Sequence, residues 1–219
     1  MTRTTKIIEQ KLKELRVSNI IEIMNNPQQI EPKIKNFIER YDNIFSFDEV
    51  MKGIKENKLI ASQFAKDPAK QNTTEIWVAD LIKDNKDIKE FEVLPKGGKG
   101  SIRIGLDGNL IYNTKGFDIA TKSIDYKFKF DGCVYYCTQK FTRGKGGSQD
   151  NQYKDVLEFL RLGSRVILPN TYFIAIVDGD YFTNEKMNEL NSYFINYKNI
   201  FATSADLFLT DKINKLKIN

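Results

Sequence analysis

Residues 123–141 read SIDYKFKFDGCVYYCTQKF, two β-rich runs joined by Asp131-Gly132, and the pairing of those runs decides the fold. Asp-Gly between alternating apolar residues is a strong sequence cue for a two-residue hairpin turn. Placing Phe130 opposite Cys133 and counting back sets Asp125 opposite Thr138. Side chains alternate between the faces of a strand. One face therefore carries Asp125, Lys127, Lys129, Val134, Tyr136, Thr138 and Lys140. The other carries Ile124, Tyr126, Phe128, Phe130, Cys133, Tyr135, Cys137, Gln139 and Phe141, an apolar set that reads as core. Directly opposed residues have Cβ atoms roughly 5 Å apart, so the first face gathers a carboxylate, a hydroxyl and an amine at the end away from the turn. A carboxylate there suits Mg²⁺. A lysine beside it suits orienting a water and stabilising phosphoryl charge. The plainer alternative is a solvated β face with a cross-strand pair.

Outward from the hairpin, the chain is helical before it and alternating after it. Residues 5–58 carry helical spacings, with Ile7, Ile8, Leu12 and Leu15 on one stripe, Pro32 near a helix start and Ser46 as an N-cap. NTTEIWVADLIKDN (72–85) predicts a helix capped by Thr73 or Thr74, with Ile76, Ala79 and Ile82 as its apolar stripe. Glu75 falls in its first turn, where the helix dipole favours a carboxylate whether or not it has a function. LPKGGKGSIRIGLDGNLIYN (94–113) predicts a Gly-rich loop and two short strands around Asp107-Gly108. GGKGS is not a phosphate loop, because Lys99 is followed by Gly100 and then by β-like sequence. A helix over 149–160 with Ser148 as its cap, a strand over 171–179 buried on both faces, a further helix and a last short strand complete the pattern. Asp178 and Asp180 are expected to make a turn and cap the helix that follows. This order predicts an α/β (α+β) architecture, a mixed central sheet flanked by helices. An N-terminal helical region over 1–70 precedes a core over 71–219, the whole expected as one compact unit.

Composition removes several chemistries. The 219 residues contain no histidine, which excludes Ser-His-Asp and Cys-His hydrolases and histidine-ligated zinc enzymes. Catalysis would have to use carboxylates, lysine, tyrosine or a hard cation on oxygen ligands. The two cysteines, Cys133 and Cys137, would lie about 13 Å apart on one strand, too far for a disulfide. The formal charge of +5 permits an anionic partner such as nucleic acid. The N-terminus, MTRTTKIIEQKLKEL, lacks a signal-peptide run, and no stretch approaches the roughly 20 apolar residues of a membrane span. A cytoplasmic location with no membrane partner is expected.

The strand pair, the basic TRGKGGS loop after it and the QDNQ helix start beyond together resemble the PD-(D/E)xK nuclease superfamily, and within it the type II restriction endonucleases. SID at 123–125 resembles the family's first acidic element and TQK at 138–140 its second; GGSQDNQ at 146–152 is similar to its glutamine-bearing helix, and TTEIWVADLI to the helix that precedes the hairpin. The resemblance spans roughly residues 72–180. It implies a restriction-endonuclease-like fold and Mg²⁺-dependent, sequence-specific hydrolysis of phosphodiester bonds in double-stranded DNA by a homodimer with no organic cofactor. It implies that Asp125 and Glu75 hold the metal with the main-chain carbonyl of Gln139. Lys140 would position the water and Thr138 would assist. Arg143, Lys145, Gln149, Asn151 and Gln152 would contact DNA. Thr138 departs from the family, which usually has an acid there, and a hydroxyl cannot replace that charge. Glu75, then Asp150, would supply the missing acid; without one, the chain would bind DNA without cutting it. A competing register takes DYK (125–127) as the D-x-K element, with Asp118 or Asp107 as the earlier acid. A third alternative is a structural protein whose hairpin is only a hairpin.

Overall fold

A computed structural model describes residues 3–113, 122–142, 144 and 147–208. The chain divides into two compact units, one of Ile7–Thr73 and one of Met1–Lys6 with Thr74–Asn219. The unit boundary falls three residues past the one expected from sequence, and the first six residues belong with the larger unit.

The smaller unit is helical: most of α1 (Arg3–Asn25), a 3-10 turn at Pro27–Ile30, α2 (Glu31–Arg40), α3 (Phe47–Glu56) and α4 (Lys58–Phe64). Ile34 and Ile54 are fully buried at its centre, with Ile23, Ile38, Val50 and Phe64 around them. Ser46 caps α3 as expected. Its hydroxyl accepts from Glu49 N at 3.3 Å while the Glu49 carboxylate accepts from Ser46 N at 2.8 Å, a reciprocal capping box.

The larger unit is built on a five-stranded mixed sheet in the order β1-β5-β6-β7-β8. Its strands are β1 (Lys89–Val93), β5 (Tyr126–Phe130), β6 (Cys133–Phe141), β7 (Thr171–Asp178) and β8 (Ile200–Thr203). The hairpin pairing derived from Asp131-Gly132 is the one observed: Phe130 faces Cys133, and the ladder runs back to Tyr126 opposite Cys137. Asp131 and Gly132 both have positive φ, 49° and 75°, the mirror-image turn that matches strand twist. β1–β5 and β5–β6 are antiparallel, while β6–β7 and β7–β8 are parallel.

Both faces of the β6–β7 centre are covered, as the continuous apolar run of β7 predicts. Tyr136, Phe173, Ala175 and Val177 pack with Val156, Phe159 and Leu160 of α6 (Gly147–Gly163) and Leu190 of α7 (Asn184–Ser192). On the opposite face Phe128 stacks on Tyr135 and meets Phe208 edge-on, and Tyr135 stacks on Tyr172. Toward β1 the first face opens, where Lys127 and Lys129 pair with Glu92 and Glu90 at 3.2 and 2.7 Å.

A second, three-stranded sheet in the order β3-β2-β4 comprises β2 (Ile102–Ile104), β3 (Leu110–Tyr112) and β4 (Lys122–Ser123). The chain passes from the small sheet to the large one within a single step. Ile124 N donates to Ile102 O at 3.1 Å, and the next amide, Asp125 N, donates to Cys137 O at 2.8 Å.

Two helical expectations are corrected. α5 (Lys70–Lys83) begins earlier than predicted, so Thr73 and Thr74 lie inside it and Glu75 stands beyond its first turn. The Thr73 hydroxyl bonds back to Ala69 O at 3.0 Å instead of capping. Ile76 is 54% exposed, and Thr73, Thr74, Trp77, Val78 and Ile82 are the buried positions. α6 likewise starts before Ser148. No helix among the described residues is long and apolar enough to cross a membrane.

Candidate active site

Asp125 sits where the β5–β6 ladder stops being regular. Its Oδ2 accepts from the Thr138 hydroxyl at 3.0 Å and from Gln139 N at 2.8 Å. The carboxylate thereby takes the place of the main-chain acceptor that a continued strand would have offered to Gln139. The main chain of Asp125 is held as well: its N–H goes to Cys137 O and its carbonyl accepts from Leu94 N at 2.8 Å. Asp125 is half-buried, while Thr138 and Gln139 are buried at 5% and 0% exposure.

Burial pushes the Asp125 carboxyl above its usual range. The Gln139 N–H, the Lys140 ammonium and the Thr138 hydroxyl pull in the other direction, and the charge of Glu75 adds to the upward push. The structure thus brings Asp125, Thr138, Gln139, Lys140 and Glu75 into one electrostatic neighbourhood. Glu75 is placed there by α5, which is tied to β5 by a 2.8 Å bond from the Tyr126 hydroxyl to Glu75 O. Its carboxylate lies 3.8 Å from Lys96 Nζ.

Thr138 and Lys140 line one cavity of about 190 Å³ with Arg103, Lys122, Ser123, Asp155 and Phe159. Lys122 pairs with Asp155 at 2.6 Å. Sequence reading passed over Arg103, Lys122 and Asp155. Arg103 stands between Ile102 and Ile104 on a three-residue strand and reads as an outward residue on a half-buried edge.

The remaining expected residues are distributed otherwise. Asp150 accepts from the Tyr181 hydroxyl at 2.5 Å, with Lys186 Nζ 3.0 Å from the same hydroxyl. It is committed to the α6–α7 side, which corrects its role as a reserve acid for Asp125. Gln152 accepts from the Thr142 hydroxyl at 2.5 Å, so its carbonyl oxygen secures the end of β6. Gln149 is half-buried and Asn151 is exposed. Arg143, Lys145 and Asp118 lie outside the described residues. In the competing register, Lys127 is paired with Glu92, and Asp107 accepts from Asn109 N at 3.0 Å to close its own turn. Burial pushes the thiols of Cys133 and Cys137 up, which leaves them poor nucleophiles.

Among the described residues, no three or more Asp, Glu, His or Cys groups gather as a metal cage. The donor set near Asp125 is two carboxylates with neutral oxygens. That set fits Mg²⁺, which keeps several waters and is bound through one or two carboxylates, better than it fits zinc.

No protein-family model matches the chain, and no curated protein matches it. Among solved structures, the crystal structure of protein VC1899 from Vibrio cholerae is similar over 100% of this chain, with 10% identity and a TM-score of 0.37. This chain spans 57% of that protein's length.

Proposed function

We propose that this protein is a Mg²⁺-dependent endodeoxyribonuclease of the restriction type, hydrolysing phosphodiester bonds at specific sites in double-stranded DNA. One observation carries this reading. A buried threonine and a main-chain N–H hold the Asp125 carboxylate, and Lys140 follows on the same strand face at the wall of a basic cavity. Asp125 and Glu75 would hold the cation, which when bound supplies Lewis-acid polarisation of the phosphate and a more acidic water. Thr138 and the Gln139 N–H fix the Asp125 carboxylate so that it need not reorganise during reaction. Lys140 donates to the attacking water and to the charge developing on the phosphate. Glu75 is the second acid that Thr138 does not provide. Two copies acting on a symmetric site would cut both strands. Arg143, Lys145, Gln149 and Asn151 would contact the duplex.

The threonine at position 138 also favours a second reading, a DNA-binding protein that has kept the site's frame without cleaving. Cleavage of large genomic DNA by the purified chain separates the two. Discrete fragments with Mg²⁺, none with EDTA and none from Lys140→Ala are expected. Intact DNA under all conditions, with duplex still retarded in a gel, would establish the binder. Absence of both cleavage and retardation would remove both.

A further inference from the structure

The cavity beside Thr138 and Lys140 has a cationic lining that the candidate catalytic set does not use. Arg103 enters it from β2, Lys122 and Ser123 from β4, and Asp155 and Phe159 from α6. Arg103 and Ser123 are direct cross-strand partners in the small sheet, as are Ile104 and Lys122. Arg103 is only 8% exposed. Arginine is almost never buried to that degree without an anionic or hydrogen-bonding partner, and Arg103 Nη1 donates to Lys96 O at 3.2 Å. That bond fixes the guanidinium, which has five N–H donors in a planar fork. Among the described lining residues, Arg103 and Lys122 join Lys140 as cations, and the carboxylate present, Asp155, is held by Lys122. The lining is therefore electropositive, walled on one side by Phe159 and bounded by the Ser123 hydroxyl, while the Thr138 hydroxyl is given to Asp125. These are the features of a site for a compact tetrahedral oxyanion.

We infer that this cavity is a phosphate subsite, with Arg103 as its fork, Lys122 as its outer cation and Ser123 as a neutral donor. Its ligand class is a phosphate mono- or diester. Its use in orienting a phosphate of the DNA strand next to Asp125 rests on the nuclease reading, whereas its affinity for phosphate does not. The covalent path supports the assignment: Lys122 and Ser123 precede Asp125 by three and two residues. Anion seat and carboxylate are thus carried on one continuous segment.

The test titrates the full chain, without metal, with inorganic phosphate and separately with a 5′-phosphorylated deoxydinucleotide, following backbone amide shifts. Shifts centred on Arg103, Ser123, Thr138 and Lys140 are expected with both. The dinucleotide should bind more tightly if the site serves nucleic acid and no more tightly if it serves free phosphate. Arg103→Lys keeps the charge and loses the fork, so affinity should fall about tenfold, the size of one lost charge-assisted hydrogen bond. Lys122→Ala should weaken binding about threefold, in line with a paired, half-exposed charge, and it decides the matter if Arg103→Lys fails to fold. Lys129→Ala, whose ammonium is held by Glu90 on the outer strands, should bind phosphate as the parent does. Shifts elsewhere on the molecule, or parental affinity in both cavity variants, would overturn the subsite. Phosphate bound in the cavity without DNA cleavage leaves the subsite standing and removes the nuclease. Cleavage that is insensitive to Arg103→Lys, without phosphate binding, does the reverse.

Discussion

Two hydrogen-bonded aspartates at the large sheet, Asp125 half-buried and Asp178 buried, have similar local chemistry and opposite surroundings. Asp125 accepts from the Thr138 hydroxyl and the Gln139 N–H. Asp178, the last residue of β7, accepts from the Thr4 hydroxyl and from Ala205 N at 3.4 Å. Burial raises both carboxyls, and Asp178 is pushed up to about 7. The difference lies in what faces them. Asp125 feels the charge of Lys140 and of a second acid, Glu75. Asp178 is 4% exposed and faces another acid, Asp206, with no cation among the groups that shift it. It ties the N-terminal residues to the start of α8 (Ala205–Leu207). A hydrogen-bonded carboxylate raised by burial does not by itself mark a site; the neighbouring cation separates the two.

The largest expected effect breaks the pair apart in cleavage. Asp125→Asn should reduce the Mg²⁺-dependent cleavage rate about a hundred- to a thousandfold, the range for removing one preorganised electrostatic group. Asp178→Asn should stay within about threefold, since it contacts no reacting atom. Equal loss in both, with both variants folded by circular dichroism, would abolish the distinction.

Stability against pH sharpens it next. The ordinary carboxyl value is 3.8 and that of folded Asp178 is about 7. Below pH 4 both folded and unfolded chains hold the proton and no penalty arises. As pH rises from 4 to 7 the unfolded chain releases its proton while the folded chain retains it, so stability falls until the penalty is complete above about pH 7. Asp178→Asn removes this slope. Its unfolding free energy should exceed that of the parent by a few kcal/mol at pH 8 and match it near pH 4. Denaturant titrations at the two pH values measure the difference, and parallel curves would mean that Asp178 is ionised in the fold.

The smallest effects compare the two threonines. Thr138→Val and Thr4→Val each take one hydroxyl donor from a buried carboxylate and should each cost about 1–2 kcal/mol of stability. Only Thr138→Val should also slow cleavage. A matched loss of cleavage in Thr4→Val would show that the hydroxyls act through folding alone.

The hairpin was legible because its rule is local. Asp131-Gly132 sets the turn, the turn sets the register, and the observed ladder follows it from Phe130 to Tyr126. The placement of Thr138 and Lys140 beside Asp125 came with it. β1 escaped the sequence reading because KEFEV carries three charges around one half-buried phenylalanine. Its partners are the β5 ladder and the ion pairs with Lys127 and Lys129, which a single segment does not display. The cap of α5 was misplaced because threonine bonds equally well to an upstream carbonyl within a helix. Asp178 and Asp180 were expected to cap α7. Thr183 does so instead, and the two aspartates turn toward Thr4 and Thr5, more than 170 residues away. Arg103 was missed because its burial comes from elements distant in sequence. An arginine between two isoleucines gives no hint of a helix and a second sheet closing over it.

The single-step passage from Ile124 to Asp125 makes the chain itself a ruler. Consecutive α-carbons are about 3.8 Å apart across a trans peptide, so two peptide units bound the spacing between Ser123 and Asp125, and the hydrogen bonds to Ile102 and Cys137 hold the backbone between them. Loops around the small sheet can lengthen, and its outer strand can change, without altering that spacing. An insertion of one residue at 124 would be the exception. It would leave both sheets intact and move the carboxylate out of step with Ser123 and the cavity it lines.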